Sequence, residues 1–401
     1  MGWGVSALGA LTRLLPDPLM ARLLPPGRSF DPAAPPPLSD FSEAAGARLL
    51  VAPVNAAGQG EAWARAAERE LDGVAAISMQ VGGSGGFAHE AGIRVPPPVF
   101  AWSRDWQAEL RRSVEHTVTH VLLESGRALL AGGIRGGLHA DLRRLAAWGI
   151  PVALVWHGSD VRDGARHARE HPRSPYVDPS WAHDELDEIA ARNRALAARS
   201  ALPSLVSTPD LLDDVPGAMW LPVVVDPAAW AADAPPLGHG GRLRVVHAPS
   251  SGAVKGSQLI EPVVLKLAAE GVIEYRRVER VAHADMPDVV QQADVVLEQF
   301  RLGSYGVAAV EAMAAGRIVI GNVDERVAEN VESATGARPP IVSVAPEALE
   351  RALRDMAADP SAALAAAAQG PAFVTRAHDG AHSAAVIARA LGLPGGREPD
   401  G

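Results

Sequence analysis

The stretch Ala293–Gly321, ADVVLEQFRLGSYGVAAVEAMAAGRIVIG, decides the fold. It reads as an apolar run (Val295–Phe300), a loop with two glycines (Arg301–Gly306), an almost uninterrupted small-residue helix (Val307–Ala315) and a second apolar run (Ile318–Gly321). Short apolar runs separated by a helix mark parallel strands covered on both faces. The pattern extends upstream through Leu243–Ala248 (strand), Ser257–Ala269 (helix), Val272–Val278 (strand) and Met286–Ala293 (helix).

A separate series occupies the first half. Arg48–Val54, Val74–Gln80, His120–Glu124 and Val152–Trp156 are strand-like, with Leu205–Ser207 closing the series. Gly60–Leu71, Leu138–Trp148 and Trp181–Arg199 carry helical periodicity, as do Ser361–Gln369 and Ser383–Leu391 near the end. Between the series lies the Pro/Gly-rich stretch Asp226–Gly241, the best candidate boundary. The expected class is α/β, with two doubly wound parallel-sheet domains facing a central cleft. Residues 1–45 form a leader and Pro-rich linker, 46–225 the first domain, 226–241 a linker and 242–375 the second domain. Residues 81–118 match no pattern.

Composition narrows the function. The 401 residues carry a formal net charge of -10 and no cysteine. That excludes disulfides and thiolate chemistry, and without a dense basic run it argues against nucleic acid. No apolar run is long enough for a membrane span, and the N-terminus lacks the marks of a signal peptide. A cytoplasmic location is expected. Trp3, Leu8, Leu11, Leu15 and Leu19 could form a face for weak contact between residues 3–24 and the inner membrane surface, or pack on their own domain.

In doubly wound sheets ligands bind beyond the carboxyl ends of the strands, so the residues after each strand are the candidates. Gly58, Gln59 and Gly60 follow the first strand and open a helix, where backbone amides can meet an anion. His157 and Asp160 follow Val152–Trp156; a histidine there can serve a sugar hydroxyl or a proton transfer, with Asp160 orienting it. Ser250, Ser251, Lys255 and Gly256 precede a helix as a phosphate cradle. The chain has just two lysines, Lys255 and Lys266, which raises the weight of Lys255. Gly303, Ser304, Tyr305 and Gly306 form a tight loop at the start of the helix bearing Glu311. Arg301 can pair with phosphate oxygens, and Glu311, in an otherwise apolar helix, requires polar partners such as ribose hydroxyls.

Other chemistries find weaker support. No D-x-D pair occurs, and the pairs His116/His120 and His167/His171 sit in poor contexts for a metal, so none is assigned. Gly83–Ala88 fits G-x-G-x-x-A, but prolines 96–98 follow too soon for a dinucleotide-binding helix.

The sequence resembles the GT-B glycosyltransferases, in particular the retaining, family 4-like enzymes of bacteria. The resemblance spans roughly 150–390 and rests on His247–Ser257 (HAPSSGAVKGS), Ala293–Gly321, STPDLL and WLPVVVD. It implies two Rossmann-like domains, the first for the acceptor and the second for a nucleotide diphosphate-sugar donor. The C-terminal helix, about 376–392, would return to the first domain. It implies Lys255 on the donor diphosphate, Glu311 on the ribose, the Gly303–Gly306 loop around the phosphates, His157 beside the transferred sugar and Val278–Val281 beside the base. The donor is a substrate and no cofactor is implied; the acceptor is a small molecule, lipid or glycan. Two departures stand out. Gly303 occupies the position of the first glutamate of the family's E-x7-E motif, and Ser250 that of an arginine. Arg301 is the expected replacement cation and Glu298 a substitute carboxylate. The alternative is a degenerate GT-B protein that binds a nucleotide sugar or partner without turnover.

Overall fold

The computed structural model describes residues 15–41, 46–82, 89–130, 137–179, 181 and 184–394. Seven strands form the first sheet: β1 (Ala47–Ala52), β2 (Val74–Val81), β3 (Ile93–Val95), β4 (His120–Glu124), β5 (Val152–Trp156), β6 (Ser204–Val206) and β7 (Met219–Trp220). Their spatial order is β3-β2-β1-β4-β5-β6-β7. The second sheet contains β8 (Leu243–His247), β9 (Ile273–Arg277), β10 (Val295–Leu297), β11 (Ile318–Gly321) and β12 (Val342–Ser343), ordered β12-β11-β10-β8-β9. Every ladder among the described residues is parallel. Both orders are doubly wound, and the winding reverses between β1 and β4 in one sheet and between β8 and β10 in the other.

Strand alternation builds the layers. Along β1, Leu49 and Val51 enter one core while Leu50 and Ala52 enter the core on the opposite face. In β10, Val295 and Leu297 face one side and Val296 the other. This two-sided burial is why the strands read as unbroken apolar runs. The helix Gln59–Glu70 buries Trp63, Ala64, Ala66 and Ala67 against the first sheet. The final helix, Ala381–Leu391, packs on that same layer through Ala384, Ile387 and Leu391, and Ser383 Oγ donates to the Pro222 carbonyl at 2.9 Å.

The chain passes between the sheets at Val223–Val225. Val225 N donates to the His378 carbonyl (2.9 Å), and His378 Nδ1 donates to the Val223 carbonyl (2.8 Å). His378 Nε2 is then left to accept from the Tyr305 hydroxyl (3.2 Å). Burial pulls the His378 pKa down to about 4, so the ring is neutral and this tautomer is fixed.

Residues 81–118, silent in sequence, supply β3 and the helices Pro97–Trp102 and Arg104–Thr117. The leader has a short helix, Asp17–Leu23, anchored there by Asp17, which accepts from Arg104 N (2.8 Å), and by buried Met20. Leu19 and Leu23 stay exposed; Trp3, Leu8 and Leu11 lie outside the described residues, as does Gly83–Ala88. Among the described residues no helix is long and apolar enough to cross a membrane.

Candidate functional site

Both winding reversals open onto one cleft, a cavity of about 470 Å³. The first sheet contributes Val54–Ala57 and Arg127; the second contributes Ser250, Lys255, His283 and Glu311. Two further spaces adjoin it. One of about 250 Å³ shares Lys255 and extends to His157. The other, about 540 Å³, shares Ala56 and Arg127 and lies within the first half, beside His157, Arg192 and Leu196.

Lys255 owes its position to local backbone. It ends the short helix Gly252–Lys255, its amide donating to the Ser251 carbonyl (2.9 Å). Gly256 then turns the chain at φ 83, and a Cβ there would press on Phe300 and Arg301. The turn lets the Lys255 carbonyl accept from Phe300 N (3.1 Å), joining the cradle to the end of β10. His247 completes the junction: Nδ1 donates to the Leu297 carbonyl and Nε2 accepts from Ser257 Oγ, both at 2.8 Å. Lys255 Nζ donates to Glu298, a buried carboxylate whose Oε2 is left without a hydrogen bond. Burial lowers the Lys255 pKa to about 8, with the charge of Glu311 opposing the fall.

Glu311 is buried in the helix Val307–Ala314, which starts at Gly306. Its Oε1 lies 2.8 Å from His283 Nε2. That hydrogen bond, against a smaller burial penalty, raises the His283 pKa. The His283 ring meets Trp230 edge-on (5.8 Å) and, across the cleft, His89 (4.5 Å). Burial, then the charges of His283 and Arg94, lowers the His89 pKa to about 4. His283 and Met286, rather than Val278–Val281, line the cleft here.

On the facing side the decisive group is Glu124, which sequence reasoning missed. Fully buried at the end of β4, it accepts from Val54 N (2.8 Å) and Asn55 N (2.9 Å) and contacts His157 Nε2 at 3.2 Å. It thus takes the Val54 and Asn55 amides after β1 for itself, just ahead of the Gly58–Gly60 turn expected to meet a ligand anion. Burial depresses the His157 pKa, but the hydrogen bond and charge of Glu124 outweigh this and raise it. Trp63 stacks on the ring at 5.6 Å. The sequence signal was a lone carboxylate ending an apolar strand beside a winding reversal.

Four expectations need correction. Asp160 does not orient the His157 ring; its carboxylate accepts from His157 N (3.0 Å) and Gly158 N (2.8 Å), shaping the loop. Gln59 faces away from the cleft, exchanging hydrogen bonds with Val224 N (2.6 Å) and the Val224 carbonyl (3.2 Å). Gly58 and Gly60 pack against His89 and Asn55, and Val54–Ala57 line the cleft instead. Arg301 bonds Asp178 of the first half (2.9 Å) and Gln258 (3.2 Å) and lines neither the cleft nor the two adjoining spaces. Arg127, unforeseen, is the exposed cation on the opposite wall.

Ser250 lines the main cleft, while Ser304, Tyr305 and Gly306 line the space shared by Lys255 and His157. Gly303 adopts φ 66, and a side chain there would collide with the Asp324 carboxylate. The left-handed backbone and Asp324 therefore favour glycine in this loop, and Glu298 is the carboxylate that meets Lys255.

No protein-family model matches the chain, and no curated protein matches it. Solved structures do. Sucrose-phosphate synthase from Thermosynechococcus elongatus aligns at 13% identity over 86% of this chain and 98% of its own, with a TM-score of 0.54. Anabaena HepE, solved with UDP and glucose, aligns at 13% over 87% and 100%, TM-score 0.54. An alpha-glucosyltransferase, solved with UDP and a 13-mer DNA containing a HMU base, aligns at 8% over 87% and 100%, TM-score 0.52. These are glycosyltransferases of the GT-B fold, and the present chain has that fold.

Proposed function

We propose that this chain is a glycosyltransferase moving a sugar from a nucleotide diphosphate-sugar to a small-molecule, lipid or glycan acceptor. The observation that carries the reading is the convergence of Lys255 and Glu311 on one cleft at the winding reversals of both sheets. Glu311, with His283, suits a ribose. Lys255, Arg127 and the amides opening the helix Val307–Ala314 suit a diphosphate, whose departing charge is the main electrostatic demand of the reaction. His157 suits the side of the transferred sugar, and the 540 Å³ space suits the acceptor.

The finer reading follows the sequence resemblance: a family 4-like bacterial enzyme, retaining, cytoplasmic, without a metal. Exposed Leu19 and Leu23 fit weak contact with the inner membrane face. HepE and the alpha-glucosyltransferase were solved with UDP, which makes uridine donors the first to try.

The competing reading is a binding protein without turnover, favoured by the Lys255–Glu298 pair, which already neutralises the cation. The test is release of nucleoside diphosphate from a panel of nucleotide sugars, with and without acceptors. Sustained release supports the transferase. Tight donor binding without any release supports the binding protein.

A further inference from the structure

The loop Arg301–Gly306 is held at its two ends by different halves of the molecule. At the far end Tyr305 is buried in the second half's core, and its hydroxyl donates to His378 Nε2 (3.2 Å). At the near end the contacts come from the first half, through the helix Gly164–Glu170 and the residue after it. His167 Nε2 lies 3.4 Å from the Leu302 carbonyl. A carbonyl can only accept, so Nε2 carries the hydrogen. Burial, then the charges of Arg162 and His171, lowers the His167 pKa to about 3, so the ring is neutral. Its Nδ1 is therefore bare and accepts from Ser174 Oγ (2.7 Å).

His171 stacks on His167, with ring centroids 4.2 Å apart and planes at 29°. Its Nδ1 lies 3.5 Å from Asp324 Oδ2. Asp324 in turn packs on Gly303. Its amide donates to the Gly303 carbonyl (2.9 Å), and its carboxylate fills the space a Gly303 side chain would need. Two contacts thus run from the first half to the start of the loop: His167 to Leu302, and His171 through Asp324 to Gly303.

The surrounding interface is weak. It leaves about 300 Å³ unfilled, and its lining is charged or polar apart from Leu302 and Val327. Arg326 Nη1 meets Asp213 Oδ2 at 2.7 Å, but the side chains are 62% and 31% exposed. Asn330 Nδ2 donates to the Pro209 carbonyl at 3.2 Å. Open ion pairs contribute little, and polar interfaces between domains permit relative motion.

Resting on the transferase reading for what the loop binds, we infer that His171 and Asp324 are positioning residues. With His167 they set the Leu302–Gly303 end of the loop for the donor's diphosphate when the halves are together, and free it when the halves part. Neither His171 nor Asp324 lines the cleft or the spaces adjoining it, so they act through the loop and not on the donor. Diphosphate affinity is thereby tied to closure, while nucleoside affinity, set by Glu311 and His283, is not.

The test compares the full chain with His171→Phe, which keeps a ring on His167 but cannot pair with Asp324, with Asp324→Asn, and with the double variant. Calorimetric titrations use uridine and UDP, or the matching pair for whichever base binds wild type. Each single variant is expected to bind UDP about fivefold weaker and uridine as wild type does. The double variant should lose no more than the weaker single, because the two changes break one contact. Hydrogen exchange on the unliganded chain reads the same clamp without a nucleotide. Amides of residues 302–306 should exchange about threefold faster in the variants, with β8 and β10 unchanged. If His171→Phe does not fold, Asp324→Asn, of the same shape as wild type, decides alone. Equal losses for uridine and UDP, losses that add in the double variant, or unchanged exchange in the loop would overturn the inference. Wild type binding no nucleoside diphosphate of any base would instead remove the transferase reading, and the exchange comparison would then decide the clamp by itself.

Discussion

At the scale of single residues, the site depends on charges that burial makes expensive. Lys255 titrates near pH 8 in the folded chain against an ordinary 10.5. Between those values the unfolded chain holds a proton that the folded chain has lost, so this group's contribution to stability rises with pH across the window. Anion binding runs the other way, because it uses the charged form. Diphosphate affinity should weaken by up to about tenfold per pH unit as pH passes through 8. Lys255→Arg, which stays protonated, should flatten that slope; a flat wild-type profile in calorimetric titrations between pH 7 and 9 would count against the assignment. Gly303 makes a second prediction. Restoring the family's carboxylate as Gly303→Glu should not improve activity but should destabilise the fold by about 1–3 kcal/mol, since the left-handed backbone and Asp324 both oppose a side chain. Thermal denaturation measures this directly, and an unchanged or raised Tm would contradict it.

At the scale of elements, the ends of strands carry the chemistry and explain what the sequence could disclose. The central strands were legible because each buries both faces, leaving apolar runs such as Val152–Trp156. Three of the four edge strands, β3, β7 and β12, are two or three residues long and carry no periodicity to detect. The helix Arg104–Thr117 was overlooked although Trp106, Leu110 and Val114 repeat every four residues along its buried face. Site residues were legible where chain-local chemistry marks them, as with Lys255 among two lysines and Glu311 in an apolar helix. They were not where a partner lies far along the chain. Asp178 is 123 residues from Arg301 and Glu124 is 33 from His157, and no local pattern links either pair. Glu124 therefore merits its own test. Glu124→Gln should cost about 1–3 kcal/mol, because one carboxylate now serves two strand-end amides and an imidazole. It should also lower the His157 pKa, which NMR titration of the ring can follow; a pKa that does not fall would mean another group holds the histidine.

At the scale of the whole molecule, the two sheets are tied by the Val223–Val225 passage with His378 and by ion pairs across the cleft. Arg301–Asp178 is buried, with side chains 9% and 14% exposed, whereas Arg173–Glu347 is open, at 32% and 66%. Removing one partner of the buried pair strands a charge, so Asp178→Ala should destabilise by about 3–5 kcal/mol. Glu347→Ala should cost less than about 1 kcal/mol. Parallel denaturation curves for the two variants check the contrast, and equal effects would mean the buried pair is not what holds the halves together. All these features serve a cleft in which a lysine from one loop and a carboxylate from the following helix face a common ligand. The most direct measurement is calorimetric titration of wild type, Lys255→Ala and Glu311→Ala with a panel of nucleoside diphosphates. The account predicts that wild type binds at least one of them and that each variant binds it weaker by about tenfold or more. Undiminished binding by both variants would contradict it.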